Sequence, residues 1–154
     1  MINYNIRQAT IDDLDTILHH RRRMFEDMGH TDTQALDAVV AASRPLLQQN
    51  LETGSYHGWF IVTPEGEIAA GGGIIFLDFQ PNPRDPRPQR AWVVNMFTEP
   101  VHRKRGLARL LMKTMLEWCR TQGMKTLFLH ASDYGRPLYE SLGFTPNNEM
   151  RINL

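Results

Sequence analysis

The sequence predicts a mixed α/β domain built on one central sheet. Three observations predict it. A strand-like run at 91–98, an amphipathic helical run at about 104–122 and a second strand-like run at 126–130 follow in order. A crossover of that length joins parallel strands. Upstream, the apolar runs 59–63 and 68–77 flank Pro64-Glu65-Gly66-Glu67, the turn signal of an antiparallel hairpin. Finally, 154 residues with 42% hydrophobic content fit one domain, residues 1–154, with a sizeable core.

The elements follow in order. A short strand at 4–8 opens the chain. Thr10 reads as a helix N-cap with Asp13 closing a capping box. Leu14, Ile17, Leu18, Phe25 and Met28 then recur at helical spacing up to Gly29. A second helix starts near Thr33 and uses Leu36, Val39, Val40, Leu47 and Leu51, with Gly54 closing it. Pro45 is expected to kink or interrupt it, because proline has no N–H and crowds the preceding turn. After the hairpin, the segment 78–90 holds Pro81, Pro83, Pro86 and Pro88 and reads as a stiff exposed loop. Along 91–98, strict alternation puts Trp92, Val94 and Met96 on one face and Val93, Asn95 and Phe97 on the other. The long helix buries Ala108, Leu111, Met112, Met115 and Cys119, and Gly123 ends it. A short helix at 135–142 closes at Gly143, and the tail 144–154 has room for short strands.

Charge and cysteine content narrow the function. Seventeen Lys and Arg balance seventeen Asp and Glu, so overall charge nominates neither nucleic acid nor an anionic membrane as partner. Cys119 is the only cysteine, which suits a reducing compartment. The opening residues lack a signal-peptide pattern and no run spans a bilayer. The expectation is a cytoplasmic protein. His102 has no metal-like partners in the sequence, and no metal site is expected. His19, His20 and the run Arg21, Arg22, Arg23 read as a solvated helix face.

One cluster departs from that neutrality. Arg103, Lys104, Arg105 and Arg109 crowd the start of the long helix. Cations there oppose the helix dipole by several tenths of a kcal/mol each, roughly. A docked polyanion would reverse that cost, and unpaired N–H groups at the same end would grip phosphate oxygens. Gly106 and Ala108 leave the backbone open to close approach. A solvated basic turn is the alternative on charge alone. Gly71-Gly72-Gly73 lies inside an apolar strand and marks a bulge or close backbone contact rather than a phosphate loop.

Two blocks carry a resemblance. Arg103-Lys104-Arg105-Gly106-Leu107-Ala108 is similar to the signature of the GNAT superfamily of acyl-CoA-dependent N-acetyltransferases. Leu138-Tyr139-Glu140 followed by Gly143-Phe144 resembles the family's usual ending, and Ile6-Arg7-Gln8-Ala9-Thr10 its beginning. The resemblance implies a mixed sheet flanked by helices, in which a splayed strand pair holds acetyl-CoA, the acyl donor. It implies that Met96, Phe97 and Thr98 run along the pantetheine arm. Arg103, Lys104, Arg105, Gly106, Leu107 and Ala108 would hold the pyrophosphate, with Arg109 and Arg136 nearby. Ser132 stands where many members have an asparagine near the pantetheine.

The implied reaction transfers acetyl to an amine, a small molecule or a peptide N-terminus. Tyr139 stands where members place a tyrosine beside the thioester sulfur. As general acid it would protonate the leaving thiolate, since a phenol of pKa about 10 keeps its proton at neutral pH. Members commonly carry a glutamate on the strand before the signature, and residues 92–98 contain no carboxylate. Glu99, His130, Asp133 or a water held by Asn95 are the candidate bases. Phe25, Glu26, Trp59, Phe79 and the Pro-rich loop are the candidate walls of the acceptor groove. A non-catalytic acyl-CoA sensor is the alternative function, and a homodimer is compatible with the sequence.

Overall fold

Thr10 and Asp13 build the first helix start that the sequence announces. The Asp13 carboxylate accepts from the Thr10 N–H at 2.8 Å while the Thr10 hydroxyl accepts from Asp12 at 3.3 Å. Arg7 grips the same carboxylate with two bonds of 2.8 Å, which holds the Asp13 carboxyl below its ordinary range. In the computed structural model, which describes residues 3–154, this cap leads from strand β1 (Asn5–Gln8) through a single 3-10 turn into helix α1 (Leu14–Asp27). Met1 and Ile2, part of the opening read for a signal pattern, lie outside the described residues.

Helix α2 (Thr33–Thr53) starts at the Asp32 side chain and ends at Gly54, whose φ of 78° is the left-handed stop. Of the kink or interruption expected at Pro45, interruption does not occur, and the helix runs through it. Pro45 and Ala41 both face solvent, so water can satisfy the carbonyl that proline leaves unbonded. Strand β2 (Tyr56–Val62) begins three residues earlier than expected, because Tyr56, His57 and Gly58 pair with Ile75, Ile74 and Gly73 despite the weak strand character of the glycine. Strands β3 (Ile68–Asp78) and β4 (Gln89–Thr98) form a long hairpin whose proline-rich connection is closed by Asp85 and Arg87 at 2.7 Å.

Helix α3 (Leu107–Thr121) crosses to strand β5 (Leu127–Phe128), and helix α4 (Arg136–Ser141) follows. The sheet order is β1-β2-β3-β4-β5, antiparallel except for the parallel β4–β5 pair. The mixed α/β architecture is therefore as predicted. One face carries Ile61, Ile74, Ala91 and Val93 against Leu107, Leu111, Met112, Met115 and Cys119 of α3. Fully burying Leu111 or Met115 contributes about 1.5–3 kcal/mol each. Burial also pushes the Cys119 thiol up to about 11, which leaves it a small apolar filler. The other face carries Tyr56 and Phe60 against Ile17, Leu18 and Leu47.

Beyond Phe144 the described chain forms no strand, and Met150, Ile152 and Leu154 lie exposed. No helix among the described residues is long and apolar enough to cross a membrane.

Candidate active site

Between β4 and α3 the chain makes a turn of unusual backbone. Lys104 adopts φ 61° and Gly106, the N-cap of α3, φ 78°. A left-handed lysine costs roughly 1–2 kcal/mol. Helix starts leave their first N–H groups without intrahelical acceptors. Here that orphan set is extended: among the described residues, the backbone N–H groups of residues 104–109 donate to no protein acceptor, and Leu110 is the first to do so, to Gly106 at 3.0 Å. Lys104 and Arg105 are exposed, and among the described residues neither has a carboxylate partner. Leu107 is buried, which anchors the helix beneath the turn. Arg103 is different. Its Nε donates to the Thr98 carbonyl at 3.0 Å and its Nη2 to Asp27 at 2.6 Å, so its side chain braces the turn. Arg109 reaches Ser141 of α4 at 2.7 Å.

The strand edge beside this turn is open. Strand β5 pairs with β4 only at Ala91–Leu127 and Trp92–Phe128. Met96, Phe97 and Thr98 thus have β3 on one side and no strand on the other among the described residues. This is the splayed pair expected from the sequence. Its cause is local: Asn95 takes φ 59°, and the β3–β4 register shifts between Gly71 and Gly73, the signature of a bulge. The bulge corrects the alternation read from the sequence. Val94 and Asn95 both stand on the α1–α2 face, while Val93 and Met96 stand on the α3 face. Close backbone approach makes this arrangement possible. A β-carbon on Gly72 would lie 2.3 Å from Met96 Sδ, and one on Gly71 2.8 Å from His20 and Phe60.

A polar cluster lies behind the bulge. The Asn95 amide donates to the Tyr56 hydroxyl at 3.4 Å and accepts from Arg21 Nη1 at 2.9 Å. Burial pushes the Tyr56 phenol up to about 12. His20 is 2% exposed, with its ring 5.1 Å from that of Phe97. Burial, and secondarily the charge of His19, hold its pKa down to about 4. At neutral pH the 3.7 Å approach of His20 to Glu99 is therefore a contact with a neutral imidazole. His19 approaches the same carboxylate at 3.8 Å. Within the basic run of α1, His19 is exposed as the sequence suggested and Arg22 and Arg23 are partly so, whereas His20 is buried and Arg21 half-buried, because Ile17 and His20 turn that side of the helix toward the sheet.

The remaining candidates sit across the splay. Tyr139 projects from α4 into the α3-side cluster, its ring 6.0 Å from Phe144. Burial raises its phenol above the ordinary value, and its hydroxyl has no protein partner among the described residues. Ser132 Oγ accepts from the Gly135 N–H at 3.1 Å and shapes the entry to α4. Arg136 is exposed and pairs loosely with Glu140 at 3.6 Å. His130 is exposed beside Trp92, ring centroids 4.6 Å apart. Asp133 is exposed. Of the proposed groove walls, Trp59 is core, 4% exposed and packed on Trp118. The depression lined by Phe79, Pro81 and Pro88 lies at the opposite end of β4 from the turn, about 30 Å along the strand.

Comparison with known proteins is consistent with this geometry. Residues 14–144 match the acetyltransferase (GNAT) family. The fold superposes with TM-score 0.92 on a GCN5-related N-acetyltransferase from Ralstonia eutropha JMP134, 32% identical and covering 99% of each chain. A predicted acetyltransferase from Clostridium acetobutylicum, solved with acetyl-CoA, shares the fold with TM-score 0.87 at 24% identity, covering 98% of this chain and 96% of that one. An uncharacterized N-acetyltransferase, YjgM, of Escherichia coli (strain K12) is 27% identical over 142 residues, 90% of this chain and 80% of that protein.

Proposed function

This chain belongs to the acetyltransferase (GNAT) family and is an acetyl-CoA-dependent acetyltransferase; from that premise we propose that it moves the acetyl group onto a primary amine by direct attack in a ternary complex, within one domain of residues 1–154. The observation that carries the reading is the run of N–H groups from residue 104 to 109, unpartnered among the described residues, beside the free edge of β4. That pair of features fits a pyrophosphate joined to an extended arm. The backbone of residues 103–108 and the charges of Lys104, Arg105 and Arg109 hold the diphosphate, with Arg136 at the margin. Met96, Phe97 and Thr98 line the pantetheine, and Ser132 borders it from the far side.

The amine nitrogen attacks the thioester carbonyl carbon, and the C–S bond breaks as the tetrahedral intermediate collapses. The thiolate takes the Tyr139 proton; burial keeps that phenol protonated at neutral pH, and its hydroxyl has no protein partner among the described residues. The ammonium proton leaves through Glu99 or His130. In this reading a backbone N–H near the bulge stabilises the oxyanion. The acceptor is a small amine or a peptide N-terminus.

Two further features belong to this reading. Met150, Ile152 and Leu154 alternate along an exposed tail, and the outer edge of β5 has no neighbour among the described residues. A homodimer in which tails add to the partner's sheet would cover both. The single buried thiol suits the cytoplasm.

The test is thiol release from acetyl-CoA across a panel of amines and peptides, with the acetylated product identified by mass. Acceptor-dependent release is expected. Acetyl-CoA binding with no release for any amine would overturn transfer as the function.

A further inference from the structure

The cations of α1 and the signature turn fall into two groups. Arg22 meets Glu26 at 3.1 Å and Asp37 at 2.5 Å; Arg23 faces Glu26 at 3.6 Å; Arg103 meets Asp27 at 2.6 Å. Arg21 has no carboxylate within ion-pair distance among the described residues. It is nonetheless half-buried, lies over the Phe25 ring at 5.0 Å, and has a buried Nε with no hydrogen-bond partner. Burial lowers its pKa from the ordinary value, yet a guanidinium keeps its charge at any working pH. Drawing a cation out of water without a counter-charge is unfavourable. Among the described residues its one protein bond is the 2.9 Å contact from Nη1 to Asn95 Oδ1, and Asn95 is the bulge residue beside the splayed edge.

We propose that Arg21 is the acceptor-recognition residue, and that the acceptor is an amine bearing an oxyanion, carboxylate or phosphate, a few bonds from its nitrogen. The inference rests on the acetyl-transfer reading above and names the substrate class at that site. Planar N–H donors match the oxygens of either anion. The neighbouring Arg22, Arg23 and Arg103 each face a carboxylate of Glu26, Asp37 or Asp27, Arg23 the most loosely, so among the described residues Arg21 is the arginine of this cluster without one. The Asn95 bond fixes one corner of its fork, and Nη2 has no protein partner among the described residues. Anchoring the anion at Arg21 sets the amine beside the bulge, where the acetyl carbonyl would lie along β4.

The test uses paired acceptors that differ in the anion: L-amino acids against their carboxamides, and an amino-sugar 6-phosphate against the free amino sugar. The anionic member of at least one pair should show a kcat/KM about tenfold or more above its neutral partner, mostly in KM. Which pair responds identifies carboxylate or phosphate as the anion. In Arg21→Met that ratio should collapse toward one, and Arg21→Lys should restore part of it. Arg21→Gln, which keeps a polar end toward Asn95, replaces Arg21→Met if the latter does not fold. Calorimetry with acetyl-CoA alone monitors the donor site. Equal kcat/KM within both pairs, or a kcat loss in Arg21→Met shared equally by both members, would overturn the inference and leave acetyl transfer standing. Acetyl-CoA consumption by no amine would overturn both.

Discussion

Gly73 makes room for Tyr56. A β-carbon at Gly73 would stand 2.2 Å from the Tyr56 hydroxyl oxygen and 2.3 Å from its ring Cζ. Tyr56 is 4% exposed and its hydroxyl accepts from Asn95 at 3.4 Å, so moving the ring would cost that bond and its packing. The absent side chain on β3 thus positions a polar group under the bulge of β4. Gly73→Ala should destabilise the fold by about 1–3 kcal/mol, the usual cost of overpacking. It should also lower acceptor turnover through displacement of Asn95. Denaturant unfolding gives the first effect, and an unchanged midpoint would mean that the ring relocates cheaply.

Gly106 separates binding from folding. Its φ of 78° strains any side chain, and a β-carbon there meets nothing within 4 Å. Gly123 shares both properties, with φ 74°, at the far end of α3. Gly106→Val and Gly123→Val should each cost roughly 1–2 kcal/mol of stability through backbone strain. Only Gly106→Val should weaken acetyl-CoA binding, by about tenfold or more, because its side chain fills the space through which phosphates reach the N–H groups. Calorimetry on both variants decides; equal affinities would remove the turn as the diphosphate site.

His20 should make stability fall in mild acid. Its native pKa near 4 lies below the ordinary 6.5, so the unfolded chain binds the extra proton. The stabilisation is complete above pH 6.5 and is lost as pH falls from there toward 4, by about 3 kcal/mol in total. His57, lowered mainly by burial against a weaker opposing bond from Gly54, acts in the same direction. Asp13 acts only below its ordinary 3.8. Guanidinium titrations between pH 4.5 and 8 should show the loss, and His20→Gln should flatten it. The same slope in both proteins would assign the effect elsewhere.

Features set by neighbouring residues were legible in advance. The Thr10–Asp13 cap, the α3 stripe and the basic turn each depend on spacings of a few residues, and each stands where the sequence places it. Features set across the sheet were not. The bulge at Asn95 inverts the side-chain alternation, and only the shifted pairing with Gly71 and Gly73 reveals it. Arg21 and His20 read as surface because charge suggests water, while the helix rotation that buries them depends on Ile17 and Leu18 docking under β2 and β4. Pro45 leaves α2 uninterrupted for the converse reason: its cost is relieved by solvent on the outer face of the helix. Gly71-Gly72-Gly73 was recognisable as a close approach, but its partners Tyr56, Phe60 and Met96 were not.

Tyr139 carries the sharpest test of the chemistry. It packs with Phe144 and lies over Gly135, where a β-carbon would meet its ring at 2.9 Å. Packing alone would account for the ring. It does not account for the hydroxyl, which is half-buried without a protein partner among the described residues and held in its protonated form by burial. Tyr139→Phe keeps the ring contacts and removes only the proton. If that proton goes to the leaving thiolate, turnover should fall about 100-fold or more, within the span assigned to acid–base catalysis. The loss should lie in kcat, because the proton is needed only as the C–S bond breaks. Acetyl-CoA affinity and the unfolding midpoint should barely move. The comparison needs saturating donor, a working amine and a pH series, since a phenol acid loses activity at alkaline pH that the phenylalanine variant cannot lose. Near-normal kcat with an unchanged alkaline limb would give the thiolate its proton from water and return Tyr139 to packing alone.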